Sequence, residues 1–358
     1  MKTLIYLLLV LQFIGQNCLG QELSLNTIEK EISEVVANGH SVGISAGLIK
    51  GDALSHYASQ GFTDLNRRDA FTENTITRIA SISKPITATA IMQLVESQKL
   101  ELDDSIDNFI PEIKNSKLRK VTVRQLLEQS SGIKAYKNKK EAQNTIHYDS
   151  HLDAAKVFIE RKLLFEPGTG FRYSSYNYTL LALVIERASG YSYKEYVQRN
   201  IFDKVGMNST SIEVKNNFPD GKSKIYDKGK KGFVEVNNSS LSDRVAGGGI
   251  QSTVRDILLF AKAIINNELI SQESLDLLTL NSGMKTEGNP YGMGWFLYGE
   301  SKNGPVIGHS GNQQGCSSFL FILPKVKVAS VVLANTSGVE NVVKIANDLF
   351  NVAGQLEK

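Results

Sequence analysis

Apolar residues follow two different spacings in this chain, and the two are segregated along it. From Asn26 to Asn38, Ile28, Ile32, Val35 and Val36 recur at helical spacing, which predicts an amphipathic helix. Val42–Ile49 and Leu54–Gln60 are short, β-rich runs joined at Lys50-Gly51-Asp52, the signature of a hairpin. The far end mirrors this order. Ser318–Leu323 and Val328–Ala334 are apolar strands separated by Pro324-Lys325-Val326-Lys327, and Val339–Val352 closes as a helix with Val342, Val343, Ala346, Leu349 and Phe350 on one stripe. The middle reads as helices at Ser81–Gln98, Thr122–Glu128, Ala154–Lys162, Tyr178–Ala188, Tyr193–Val205 and Thr253–Ile265. Ser189-Gly190 stops the fourth, and Ser252 or Thr253 caps the last. The pattern predicts an α/β protein of the α+β type. One antiparallel sheet is flanked by N- and C-terminal helices, and a large helical body is inserted into it. The expected division is an α/β body over 21–80 and 285–358 and a helical body over 81–284, with no Pro/Gly/Ser linker between them.

Composition changes this picture little. The chain has 358 residues, 41% hydrophobic and 22% charged, with a net charge of +3. That is ordinary for a globular protein. The basic clusters Lys137–Lys140 and Lys222–Lys231 lack aromatic interleaving and helical period, so solvated loops are expected and no nucleic-acid partner. The N-terminus does change the picture. Lys2 precedes the apolar run Leu4–Val10, extended by Leu11, Phe13 and Ile14, and small residues follow at Cys18 and Gly20. This is a signal-peptide pattern over residues 1–20, too short for a membrane span. The mature chain, 21–358, is expected to be periplasmic or secreted, with no transmembrane span. Lipidation at Cys18 is the weaker alternative, because Asn17 is a poor residue before a lipidated cysteine. Cys316 is then left alone, with no internal disulfide, and reads as a small buried residue. His147 and His151 lack the carboxylate partners of a metal motif, so neither a metal nor another cofactor is expected.

The candidate chemistry starts at Ser81-Ile82-Ser83-Lys84-Pro85. On a helix, Ser81 and Lys84 lie one turn apart on one face, a hydroxyl beside an amine. Pro85 fits a first helical turn. The pattern Ser-x-x-Lys also occurs at Ser131/Lys134 and Ser282/Lys285, but an internal glycine makes those read as turns. The plain alternative for Ser81 is a helix cap, and for Lys84 a solvated cation. Further along, Pro167-Gly168-Thr169-Gly170 forms a loop presenting Tyr173 ahead of a helix, and Gly308-His309-Ser310-Gly311-Asn312 leads into the C-terminal strands.

With these three segments in order, the chain resembles the serine β-lactamase and penicillin-binding-protein superfamily. Within it, the likeness is to the branch of class C β-lactamases, D-alanyl-D-alanine carboxypeptidases, D-aminopeptidases and esterases. Ser81-Ile82-Ser83-Lys84 matches the first motif, Tyr173-Ser174-Ser175 the Tyr-x-Asn motif, and His309-Ser310-Gly311 the Lys-Thr-Gly motif on an edge strand. Supporting stretches are Leu126–Gly132, Ile201-Phe202 with Gly206-Met207, Gly247–Thr253 and Tyr291–Trp295. The resemblance implies acyl transfer through a covalent serine ester. Ser81 would be the nucleophile, and Lys84 or Tyr173 its base. The N–H groups of Ser81 and Asn312 would hold the oxyanion, with Ser175, His309, Ser310, Gly311 and Asn312 binding substrate. Ser175 replaces the family's asparagine and His309 its lysine. Histidine is charged only below about pH 6.5 unless perturbed, so the fixed cation for a substrate carboxylate is missing. The expectation is therefore an exported serine hydrolase, acting as a monomer on an ester, amide or D-amino-acid peptide, cell-wall-derived or otherwise. An esterase or D,D-peptidase fits better than a dedicated β-lactamase. The alternative is an inactive binding protein that keeps the fold. Trp295 is expected at the cleft or in the core, Gly247–Gly249 at a bend or a ligand approach, Tyr226 in a solvated loop, and Phe171 and Tyr176 in packing.

Overall fold

The computed structural model describes residues 23–51, 54–143, 145–236, 239–280, 290–301 and 304–355. The N-terminal apolar run and the Ser282/Lys285 pair lie outside the described residues. Among those described, no helix is long and apolar enough to cross a membrane.

Among the described residues, six strands form the central sheet: β1 (Gly43–Lys50), β2 (Leu54–Gly61), β3 (Phe296–Ser301), β4 (Gly304–Gln313), β5 (Cys316–Leu323) and β6 (Val328–Ala334). Their order is β2-β1-β6-β5-β4-β3, antiparallel throughout. The C-terminal strands therefore complete a sheet begun at the N-terminus, with β6 pairing along the whole of β1. The helices used below are α1 (Leu25–Ala37), α2 (Ser83–Glu96), α3 (Ser175–Ser189), α4 (Val254–Ile265) and α5 (Asn341–Gln355).

Alternation on the strands builds two cores. Ile44, Ala46 and Leu48 of β1, Phe319 and Phe321 of β5, and Val332 of β6 pack with Ile28 and Ile32 of α1 and Ile345 and Leu349 of α5. The opposite faces of the same strands, with Leu320, Ile322, Val331 and Leu333, join α2, α3 and α4 in the larger core. Each fully buried aliphatic of these layers contributes roughly 1.5–3 kcal/mol. Helix α4, expected within the helical body, lies on the sheet. A side chain at Gly47 would meet Val254 at 2.7 Å and Leu258 at 2.8 Å, so the missing Cβ lets this helix seat on β1.

Several local differences have physical causes. The expected helix Ala154–Lys162 is replaced by His151–Ala155, whose N-cap Ser150 accepts from Asp153 N–H. The segment expected as one helix over Tyr193–Val205 passes through a π-helical turn at Gln198–Phe202. Helix α3 starts three residues earlier than its apolar period, because Ser174 caps it through Tyr176 N–H. Gly190 ends it at φ +80. Tyr226, expected in a solvated loop, is buried, and its hydroxyl accepts from Leu65 N–H at 3.1 Å. Trp295 is a core residue stacked on Phe260.

Candidate active site

Ser81 does not stand in a helix but in the 3-10 turn Ala80–Ile82 that leads into α2. Ala80 takes φ +48, left-handed backbone that costs an alanine about 1–2 kcal/mol. The surroundings hold it there by gripping three successive carbonyls. Cys316 Sγ donates to Arg78 C=O at 2.9 Å, Ser318 Oγ to Ile79 C=O at 2.8 Å, and Ser83 Oγ to Ala80 C=O at 2.7 Å. Gly311 of β4 lies directly over the same turn. A Cβ there would meet Ser318 Oγ at 2.2 Å and Ile79 O at 2.6 Å, so glycine is what allows the strand to come this close. Arg78, three residues upstream, is fixed in a buried ion pair with Glu213 and donates to Gln314 C=O at 3.0 Å.

Lys84, in the first turn of α2, is fully buried. Its Nζ lies 3.1 Å from Ser81 Oγ, 3.2 Å from Ser175 Oγ and 2.5 Å from Gly247 O. It also sits 4.8 Å from the Tyr173 ring centroid and 5.3 Å from that of Tyr178. Burial first, and the charge of Arg244 second, hold this amine well below the usual 10.5. Desolvation pushes the Tyr173 phenol well above its usual 10, with the nearby Ser81 side chain acting in the opposite direction. One hydroxyl, one amine and one phenol, 92 positions apart at the extremes of Ser81 and Tyr173 in sequence, thus meet at a single point. Ser175, at the first turn of α3, reaches the amine even without an amide group.

The third segment is arranged differently from its expected edge strand. The edge of the sheet is β3, but β3 pairs with β4 only as far as Gly308. From His309 to Gln313, β4 has no strand partner on that side among the described residues, so its backbone is open next to the Ser81 turn. Asn312 is exposed and Ser310 half-buried there. The glycine-rich Gly304–Gln313 shows no apolar alternation, which is why sequence pattern alone does not reveal a ten-residue strand.

His309 faces inward rather than toward solvent. Its Nδ1 is 2.6 Å from Ser310 O and its Nε2 3.3 Å from the Tyr291 hydroxyl. A carbonyl can only accept, so Nδ1 carries the proton and Nε2 accepts from Tyr291. The ring lies among Phe296, Tyr291 and Tyr173, with centroids at 4.9, 5.9 and 6.1 Å. Burial, with Lys84 adding to it, pushes its pKa down to about 3. The expectation of a charge gained below pH 6.5 is therefore corrected: this histidine is neutral across the physiological range and braces the tyrosine. Its folded pKa lies below its unfolded one, so the unfolded chain binds the extra proton between about pH 3 and 6.5, and stability rises with pH in that window. Replacing it, as in His309→Gln, is expected to flatten that rise. Urea midpoints at pH 4.5 and 7 check this, and an unchanged difference between them would contradict it.

Sequence reasoning missed several contributors. Cys316 and Ser318 carry no motif, and their role follows from facing the turn on alternate positions of β5. Gln129, at φ +64, accepts from Ser174 N–H at 2.9 Å and Asn177 Nδ2 at 2.6 Å, fixing the start of α3. Asp243 and Arg244, a buried bidentate pair, gave no signal beyond two charges beside a glycine strip. Gly247 itself is packed: a Cβ would lie 3.1 Å from Ser175 Cβ, so the strip serves the close approach of its carbonyl to Lys84. Cys316 is buried, as read from the sequence. A cavity of ≈ 510 Å³ opens at the other end of α2. Its two serine hydroxyls, Ser97 and Ser189, donate to backbone carbonyls of their own turns, so neither is an activated nucleophile.

The chain is 31% identical over 293 residues to penicillin-binding protein 4* of Bacillus subtilis strain 168, covering 75% of this chain and 62% of that protein. It therefore spans less than two thirds of that relative's length. Among solved structures it is similar to the octameric penicillin-binding protein homologue from Pyrococcus abyssi, with a TM-score of 0.81, 27% identity, and coverage of 94% of this chain and 78% of that one. It shares the fold of the D-amino acid amidase from Ochrobactrum anthropi SV3, with a TM-score of 0.81 at 22% identity, over 93% of this chain and 99% of that one. Residues 28–353 match the family model described as Beta-lactamase, so the chain belongs to the Beta-lactamase family.

Proposed function

We propose that this chain is an exported serine hydrolase that cleaves an ester, an amide or a D-amino-acid peptide through an acyl-Ser81 intermediate. The observation that carries the reading is the contact of the fully buried Lys84 Nζ with the half-buried Ser81 Oγ at 3.1 Å. Desolvation disfavours the charged amine, so Lys84 gives up its proton far more readily than a free lysine. The neutral amine has two N–H groups and one lone pair. Gly247 O can only accept, so it takes one N–H, and Ser175 Oγ takes the other. The lone pair is then directed at Ser81.

In the proposed cycle, the Ser81 hydroxyl proton passes to Lys84 Nζ as Oγ bonds to the substrate carbonyl carbon. The carbonyl oxygen takes the electron pair and is held by the N–H groups of Ser81 and Asn312. Collapse re-forms the carbonyl and breaks the bond to the leaving group. Tyr173, protonated because its phenol is pushed upward, gives that group a proton and is refilled from Lys84. Water then attacks the acyl-serine by the reverse relay, releasing the acid and restoring Ser81. Attack on an ester needs less help to the leaving group than attack on an amide. A neutral His309 offers no cation to a substrate carboxylate, which favours an uncharged ester or amide over a free C-terminal peptide. Export rests on the apolar run behind Lys2. The Pyrococcus abyssi relative is octameric, so family membership does not carry the expectation of a monomer.

The test is a panel of p-nitrophenyl acetate, a D-amino-acid amide, a D-Ala-D-Ala peptide and nitrocefin, with intact-mass detection of an acyl adduct. Turnover of an ester or amide with an adduct on Ser81 is expected. Silence across the panel with no adduct would instead indicate a binding protein that keeps the fold.

A further inference from the structure

Arg244 reaches the Lys84 site by two routes without touching it. Along the chain, it is the residue immediately before the short helix Val245–Gly248, whose Gly247 carbonyl accepts from Lys84. Through space, its guanidinium stacks on the Tyr136 ring at 4.2 Å, and that ring packs edge-on against Tyr176 of α3, the neighbour in sequence of Ser175, the second partner of Lys84. The guanidinium is itself locked. Nε and Nη2 donate to the two oxygens of Asp243 at 2.7 and 2.9 Å, and Nη1 and Nη2 donate to the carbonyls of Ala142 at 2.8 Å and Glu141 at 3.3 Å. Asp243 is anchored in turn, because Thr179 Oγ1 of α3 donates to its carbonyl at 2.7 Å. Both members of the pair are buried. A buried ion pair is weak evidence for stability alone, yet this one ties the 141–142 segment and α3 to the turn whose Gly247 carbonyl accepts from Lys84.

We propose that Arg244 is a positioning residue that clamps the 141–142 wall and the Gly247 turn around Lys84 and, as a fixed buried cation, keeps that amine unprotonated. The inference rests on Lys84 acting as the base toward Ser81. Other groups facing the amine do not supply this field. Ser81 comes from its own turn and Ser175 and Tyr178 from α3. Tyr173 comes from the loop before α3 with its phenol protonated, and His309 comes from β4 in its neutral form. Behind Tyr136, Glu141 is occupied by Arg161 and the Tyr176 hydroxyl. Asp243 opposes the field of Arg244 and sets its size.

The two members of the pair should therefore act on Lys84 with opposite sign, which no loosening of the fold would imitate. The experiment measures the rate of Ser81 labelling by a fluorophosphonate against pH, on the full chain, for wild type, Arg244→Gln, Arg244→Lys and Asp243→Asn. Arg244→Gln is expected to move the acid limb up by about one pH unit or more, so that labelling at a pH on that limb falls about tenfold. Arg244→Lys keeps the charge and is expected to leave the limb near its wild-type position while lowering the plateau. Asp243→Asn is expected to move the limb down. An unmoved limb in folded Arg244→Gln overturns the proposal. If that variant does not fold, a limb that stays or rises in Asp243→Asn does so. Wild type that never labels at Ser81 would instead defeat the hydrolase reading itself.

Discussion

Replacing Ser81 by alanine is expected to remove ester or amide turnover by a factor on the order of 10⁶ and to abolish the covalent adduct. The Oγ atom is the reacting oxygen in the proposed cycle, and no neighbour can substitute for it. Ser83 is one position off the face, with its hydroxyl donating to Ala80 C=O, and Ser175 lies beyond the amine. The fold should survive. The turn around residue 81 is held by carbonyl contacts from Cys316, Ser318 and Ser83, none of which uses the Ser81 side chain. A thermal midpoint near wild type, together with loss of both turnover and labelling, is the expected pair of results. A fluorophosphonate adduct retained at the wild-type rate in this variant would show that another residue is the nucleophile.

The second large effect is expected at Lys84→Met, which keeps the length of the side chain and removes the base. Loss of a positioned general base costs about 10²–10⁴-fold, read as a fall in the single-turnover acylation rate. In wild type the rate should rise with pH as the lowered amine pKa is passed. It should not fall again through Tyr173, whose phenol ionises only well above 10. The stability consequence has a definite sign. The native amine releases its proton at lower pH than the unfolded one. Between the lowered native value and 10.5, the unfolded chain therefore binds more protons, and stability rises with pH. Lys84→Met should flatten that rise, seen as urea midpoints that converge across neutral to alkaline pH. A variant with an unchanged pH slope would mean that the buried amine is already charged in the native state.

The two effects separate because the same burial serves both. A lysine sealed away from water is costly to fold around at a pH where it would be charged, and that cost is what makes it a base at neutral pH. Local strain follows a similar logic. Ala80 is held left-handed by Cys316 and Ser318, which are more than 230 positions away along the chain, so the geometry ahead of Ser81 depends on the sheet being complete.

The sequence by itself determined the elements whose periodicity is strong. The terminal helices, the two flanking hairpins and helices α2 to α4 follow from apolar spacing, which local physics enforces because each must bury one face. It also determined three candidate side chains, Ser81, Lys84 and Tyr173, through short segments with chemical meaning. Apolar spacing did not mark β4, whose glycines leave no alternation and which only the motif resemblance set on a strand, and residue type left His309 able to charge below about pH 6.5, which burial prevents. Tertiary structure alone decided which groups face the amine: a carbonyl from a glycine strip, a serine in place of an amide, and a buried Asp243–Arg244 pair from a third segment. Those relations depend on distance and dielectric between residues remote in sequence. No local pattern encodes them, and protonation states are set there rather than by residue type.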